Sequence, residues 1–180
     1  MQSKVVWVYG SSAAGKETFL RFMQAGDSEM LLNELGLQSH LVAICEESID
    51  WVAQYDEDPK GFQRKLLPSV VSQQVCENSN SVIFIKGQDL DLNGGQLMEL
   101  KRMLPDCEHH IFFLQVSIEE IVRRVKNKSW WNKEMDKEKM QSWLTYQMSF
   151  LKKLQNDFKI TVLSAEQEVD YSIIGHKLPE

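Results

Sequence analysis

Gly10, Gly15 and Lys16 stand in the spacing Gly10-x-x-x-x-Gly15-Lys16, and the chemistry open to that pattern is a grip on phosphate. Glycines at these positions let backbone N–H groups close around phosphate oxygens with no side chain in the way. A helix that begins at the second glycine adds its unpaired amide donors and the positive end of its dipole. Lys16 is expected to reach the β- and γ-phosphates. The whole segment Gly10, Ser11, Ser12, Ala13, Ala14, Gly15, Lys16, Glu17 and Thr18 is the expected phosphate-contacting stretch. The hydroxyl that usually follows the lysine and ligates magnesium is replaced by Glu17, and the next hydroxyl is Thr18.

The flanking sequence supplies the elements that such a loop needs. The apolar run Val5, Val6, Trp7 and Val8 predicts a buried strand ahead of it, and Glu17 to Gln24, with Phe19, Leu20, Phe22 and Met23, predicts a helix behind it. Four further compact apolar runs read as strands: His40 to Cys45, Ser81 to Ile85, His110 to Val116 and Ile160 to Leu163. Between them lie helical patterns at Glu29 to Leu35, which Gly36 ends, at Phe62 to Cys76, and at Gly95 to Met103. Pro68 should kink or divide the second of these. Ser117 and Glu120 form a capping-box pair opening a helix to about Asn127. A long helix is expected from Glu138 to Asp157, with Met140, Trp143, Leu144, Phe150, Leu151 and Leu154 on one face, and a last helical segment from Tyr171 to His176.

Five strands alternating with helices predict an α/β fold, a three-layer sandwich with a five-stranded parallel sheet covered by helices on both faces. Ligands of such sheets bind outside the carboxyl ends of the strands. That rule singles out the loop itself, Glu46 and Glu47, Lys86 to Asp89, Ser117, and Ser164 to Gln167.

A chain of 180 residues is expected to form a single domain over 1–180. Its 20 Lys and Arg against 26 Asp and Glu give a net charge of -6, which argues against duplex nucleic acid or an acidic membrane as the main partner. Cys45, Cys76 and Cys107 are odd in number and widely spaced, fitting neither a disulfide framework nor a zinc cluster. His40, His109, His110 and His176 lack metal-ligand spacing and are expected to be structural. With no export signal and no run approaching a membrane span, a cytoplasmic location is expected.

This layout resembles the P-loop nucleoside and nucleotide kinases, the family of adenylate, thymidylate, shikimate and deoxynucleoside kinases, over nearly the whole chain. The loop is similar to their Walker A segment, and Gly15-Lys16-Glu17-Thr18 resembles the Gly-Lys-Gly-Thr form of adenylate kinases. The resemblance implies a P-loop NTPase fold with a short lid at about 126–139, where five lysines interleave with Trp130 and Trp131. It implies ATP and Mg2+ as cofactors, with Thr18 near an inner phosphate and Thr18 and Asp89 as the nearest candidates for the metal. Glu46 precedes Trp51 by five positions, similar to the deoxynucleoside-kinase glutamate base and the tryptophan that walls its acceptor pocket. Arg124 and Lys128, four apart, resemble the basic pair that opens the family's lid and neutralises the transferred phosphoryl group. Arg64 is the expected anchor for an anionic acceptor. Where the family carries a magnesium-binding Asp at the end of the third strand, this chain has Lys86.

The expected activity is therefore ATP-dependent transfer of the γ-phosphoryl group to a small hydroxyl or phosphate acceptor, with Lys16, Glu46, Arg124 and Lys128 as the catalytic set. Its partners would be a nucleotide and a small-molecule acceptor, with a homodimer left open. The alternative is a nucleotide-binding regulatory or assembly protein, motivated by Glu17 and Lys86. A guanine-specific reading is given little weight, because Asn127-Lys128 follows a helix rather than a strand and lacks the Asp that reads guanine.

Overall fold

The computed structural model describes residues 2–49, 67–87, 95–128 and 137–178. Apolar runs become strands: β1 (Lys4–Tyr9), β2 (Leu41–Ile44), β3 (Ser81–Lys86), β4 (Glu108–Gln115) and β5 (Lys159–Gln167), joined by β6 (Asp170–Gly175). Among the described residues the helices are α1 (Lys16–Gln24), α2 (Glu29–Glu34), α3 (Leu67–Glu77), α4 (Gly95–Met103), α5 (Ile118–Val125) and α6 (Lys137–Leu154). A short 3-10 turn covers Glu46–Ser48.

All six strands form one sheet in the order β2-β3-β1-β4-β5-β6. The first five are mutually parallel, as crossover helices require. β1 is central, and every residue from Val5 to Tyr9 is buried. Because side chains alternate across a strand, Val5, Trp7 and Tyr9 enter the layer under α3, α4 and α6, while Val6 and Val8 enter the layer under α1, α2 and α5. Ile83, Ile85, Ile111 and Phe113 follow the first set, and Phe84, Phe112 and Leu114 the second. The three-layer expectation holds.

One sequence expectation changes. The segment from Tyr171 to His176, expected to be helical, is instead the antiparallel edge strand β6, so the sheet has six strands rather than five. A helix would have set Tyr171 and Ile174 on one face. The strand separates them: Tyr171 packs edge-on against Phe19, centroids 4.9 Å apart, while Ile174 is 54% exposed. Ile173 and Ser172 pair with Leu163 and Ser164, so β6 satisfies the backbone edge that β5 would otherwise present to solvent. The expectation that Pro68 kinks or divides the stripe from Phe62 depends on 62–66, which lie outside the described residues; from Leu67 to Glu77 the chain is one helix, α3.

The capping box forms in one direction. The Ser117 hydroxyl accepts from the Glu120 amide at 3.3 Å, but the Glu120 carboxylate turns away to Arg123 and Arg124. His109 and His110 lie at the start of β4, where burial pushes both imidazoles below their usual value and His109 Nε2 sits 2.9 Å from the Leu104 carbonyl. No helix among the described residues is long and apolar enough to cross a membrane.

Candidate phosphate-binding site

β1 delivers the chain to Gly10 at the carboxyl end of the central strand, between β3 and β4, where the strand order reverses. A side chain at Gly10 has no room: a Cβ there would lie 2.9 Å from Ala14 Cβ and 3.1 Å from the Leu114 carbonyl oxygen. The loop turns tightly, with the Ala14 amide donating to the Ser11 carbonyl at 3.0 Å. Ala13 has φ 64 and Gly15 has φ 88, on either side of Ala14. Alternation of left- and right-handed backbone is the conformation in which successive N–H groups converge on an anion. Gly15 then caps α1 with no side-chain hydrogen bond, leaving the helix's first amides for a ligand.

Three side chains hold the carbonyls of this loop. Lys16 Nζ folds back to donate to the Gly10 carbonyl at 2.7 Å and to the Ser11 carbonyl at 3.1 Å. Gln147 Nε2, from the buried face of α6, donates to the same Gly10 carbonyl at 3.2 Å. Arg124 Nη1 donates to the Ala14 carbonyl at 3.2 Å. Carbonyls tied back in this way leave the loop's amides as the groups offered to a ligand. Sequence patterning did not single out Gln147, although a glutamine between Leu144 and Leu151 on an apolar helical stripe was a visible anomaly.

Arg124 is expected from the sequence among cations that a lid delivers to a phosphoryl group. In the structure it lies beside the loop and is engaged with protein groups. Its side chain is 9% exposed, and besides Ala14 it donates to Glu120 Oε1 at 2.7 Å and to the carbonyls of Ala165 at 2.7 Å and Glu166 at 3.0 Å. It is a strut between the loop, α5 and the end of β5. The same strand end is tied to β4, because the Ser117 hydroxyl and amide both donate to the Glu166 carboxylate. Lys128 is exposed just beyond α5, its amide on the Val125 carbonyl.

On the other side of the loop, the carboxyl ends of β2 and β3 are joined by a serine that the sequence did not flag. Buried Ser48 donates to the Cys45 carbonyl at 2.6 Å and accepts from the Lys86 amide at 2.9 Å. Glu46, the expected base, is 54% exposed and pairs with Arg21 of α1 at 2.7 Å. That ion pair occupies its carboxylate, whereas a base must be within reach of an acceptor hydroxyl. Glu47 accepts from Gln74 at 3.2 Å. Cys45 is buried, and the loss of solvent pushes its thiol up to about 12, which makes it inert. Trp51, Arg64 and Asp89, and the lid segment 129–136, lie outside the described residues.

Magnesium does not fit the described donor set. P-loop proteins hold it with the hydroxyl after the loop lysine and an aspartate near the end of a neighbouring strand. Here those positions carry Glu17 and Lys86, and they face each other at 4.0 Å. Thr18 is exposed one residue further along α1. No group of three or more His, Cys, Asp or Glu that could hold a metal occurs among the described residues.

No family model matches the sequence, and no curated protein matches it significantly. Solved structures do match. The Deinococcus radiodurans tunicamycin resistance protein is 13% identical, with a TM-score of 0.58 over 81% of this chain and 80% of that one. A chain of the PezAT chromosomal toxin-antitoxin system of Streptococcus pneumoniae is 15% identical, with a TM-score of 0.54 over 97% of this chain and 72% of that one. Shikimate kinase from Bacteroides thetaiotaomicron is 15% identical, with a TM-score of 0.48 over 93% and 89%. With a glycine-lysine loop between a central strand and a helix, and parallel strands in the order β2-β3-β1-β4-β5, this chain has a P-loop kinase-like fold.

Proposed function

We propose that the chain binds the polyphosphate of ATP at residues 10–18 and transfers the γ-phosphoryl group to a small hydroxyl or phosphate acceptor. The observation that supports this reading most directly is the loop itself, with Gly15 at an uncapped helix start and Lys16 beside it. On ligand entry, Lys16 exchanges the Gly10 and Ser11 carbonyls for phosphate oxygens. Gln147 and Arg124 keep the loop carbonyls turned away from the anion. Glu46 accepts the acceptor's proton in this reading only after leaving Arg21, and Lys128, just beyond α5, would neutralise the transferred phosphoryl group. Trp51 and Arg64 would bound the acceptor pocket.

A second reading, a nucleotide-binding regulatory or assembly protein, is favoured by the Arg21–Glu46 pair, which occupies the candidate base. One experiment separates the two. Labelled ATP is incubated with the protein and a panel of nucleosides, nucleotides and other small alcohols, with nucleotide affinity measured in parallel by calorimetry. Label appearing in an acceptor, and lost in Lys16→Met, supports transfer. Nucleotide binding with no labelled acceptor supports the second reading, and absence of nucleotide binding defeats both.

A further inference from the structure

We propose that Lys86 serves as the counter-cation for the bound polyphosphate, so that this chain takes its nucleotide without a divalent metal. The inference rests on the nucleotide-binding reading above and concerns how the charge of that ligand is met.

The argument starts from two departures of opposite sign. At the position after the loop lysine a neutral hydroxyl would be usual, and the chain has the anion Glu17; at the end of the third strand an anion would be usual, and the chain has the cation Lys86. Either change alone would leave a lone charge beside the loop. Together they form a pair, N···O 4.0 Å, across the gap between β3 and the first turn of α1.

The fold fixes Lys86 where a cation acts on the loop's ligand. β3 lies directly beside β1, with Lys86 in register with Val8, two residues before Gly10. Its amide is held by the buried Ser48 hydroxyl at 2.9 Å, and the next residue, Gly87, donates its amide to the Val8 carbonyl at 2.8 Å. Gly87 in turn packs so closely on the Tyr9 ring that a Cβ would fall 2.8 Å from it. The backbone at Lys86 therefore has little freedom, while its four-carbon stem lets the ammonium move between partners. The Lys86 side chain is 21% exposed and that of Glu17 is 56% exposed, so the carboxylate can turn to water while the ammonium stays at the site. A divalent cation in the same place would meet that ammonium at short range and be repelled. Phosphate oxygens would meet it and be attracted, joining Lys16 and the amides at the start of α1.

The test uses the full chain, with ATP and ADP as probes in calorimetry, in excess magnesium and in excess EDTA. The proposal expects ATP affinity to differ by no more than about twofold between the two conditions, and Lys86→Met to lower it about tenfold in EDTA. Glu17→Gln, which frees the ammonium, should bind ATP more tightly in EDTA. The double variant Glu17→Ser with Lys86→Asp should acquire a magnesium requirement, its ATP affinity rising about tenfold or more on adding the metal. Magnesium-dependent binding by the unsubstituted chain overturns the proposal and leaves nucleotide binding intact. So does an unchanged affinity in Lys86→Met whose thermal unfolding matches the parent. Failure of ATP and ADP to bind under either condition overturns the nucleotide-binding reading and this inference with it.

Discussion

Arg124 Nη1 donates to the carbonyl of Ala14 across 110 residues of sequence, at 3.2 Å, and so ties the phosphate loop to helix α5. The same guanidinium also holds Glu120, Ala165 and Glu166. Arg124→Ala would leave the Glu120 carboxylate to Arg123 alone and take the guanidinium donor from three carbonyls, and a loss of about 2 kcal/mol is expected in urea unfolding. Arg124→Lys should recover only part of it, because one ammonium cannot reproduce the planar fork. Equal losses for the two variants would refute the strut.

Glu120 gives the protein an acid-sensitive seam. Hydrogen bonds first from Arg123 and then from Arg124 hold its carboxyl down from the usual 4.5 to about 2. With the folded value below the unfolded one, the unfolded chain takes the proton more readily. The contribution is complete above about 4.5 and disappears as pH falls toward about 2. Glu120→Gln should lower stability near neutral pH and flatten its decline through that window. An acid limb as steep in the variant as in the parent would show that other carboxylates dominate it.

Gly10 is a position of close approach. Gly10→Ala pushes a methyl group against Ala14 and the Leu114 carbonyl, and should cost about 1–3 kcal/mol and weaken the proposed binding of ATP. Gly26→Ala is the contrast. Its φ of +87 brings backbone strain of about 1 kcal/mol, yet nothing lies within 4 Å of the new methyl group, and ATP affinity should be untouched. Chemical denaturation and calorimetry on the two variants read both quantities.

Gln147→Leu keeps the volume of a residue only 7% exposed and removes its hydrogen bond to Gly10. A loss of about 1 kcal/mol is expected, with weaker nucleotide binding because Lys16 is left to hold that carbonyl alone among these donors. Undiminished ATP affinity would mean that Gln147 serves packing rather than the loop.

Val169 forms part of the tight turn between β5 and β6, in which Gln167 pairs with Asp170. It has φ 59, a conformation that a β-branched residue adopts at a cost, and it is 61% exposed. Val169→Gly should raise stability by about 1 kcal/mol, and ligand binding should not change. A lower melting temperature would contradict this account.

The sequence by itself determined the position of the glycine-lysine turn between β1 and α1, the five parallel strands and the burial of both sheet faces. Each is written in a local pattern, whether the glycine-lysine spacing, short apolar runs such as Val5 to Val8, or a capping serine at Ser117. Only the tertiary structure decided that Tyr171 to Gly175 is a strand. Over so few residues apolar periodicity does not separate helix from strand, and the open edge of β5 settles the matter. Only the structure, too, brought Glu17 to Lys86, Glu46 to Arg21, and Arg124 and Gln147 to the loop carbonyls. These contacts join residues on different elements, and which elements meet is fixed by crossover topology and strand order. A residue's identity states what it can bond to; the fold chooses the partner.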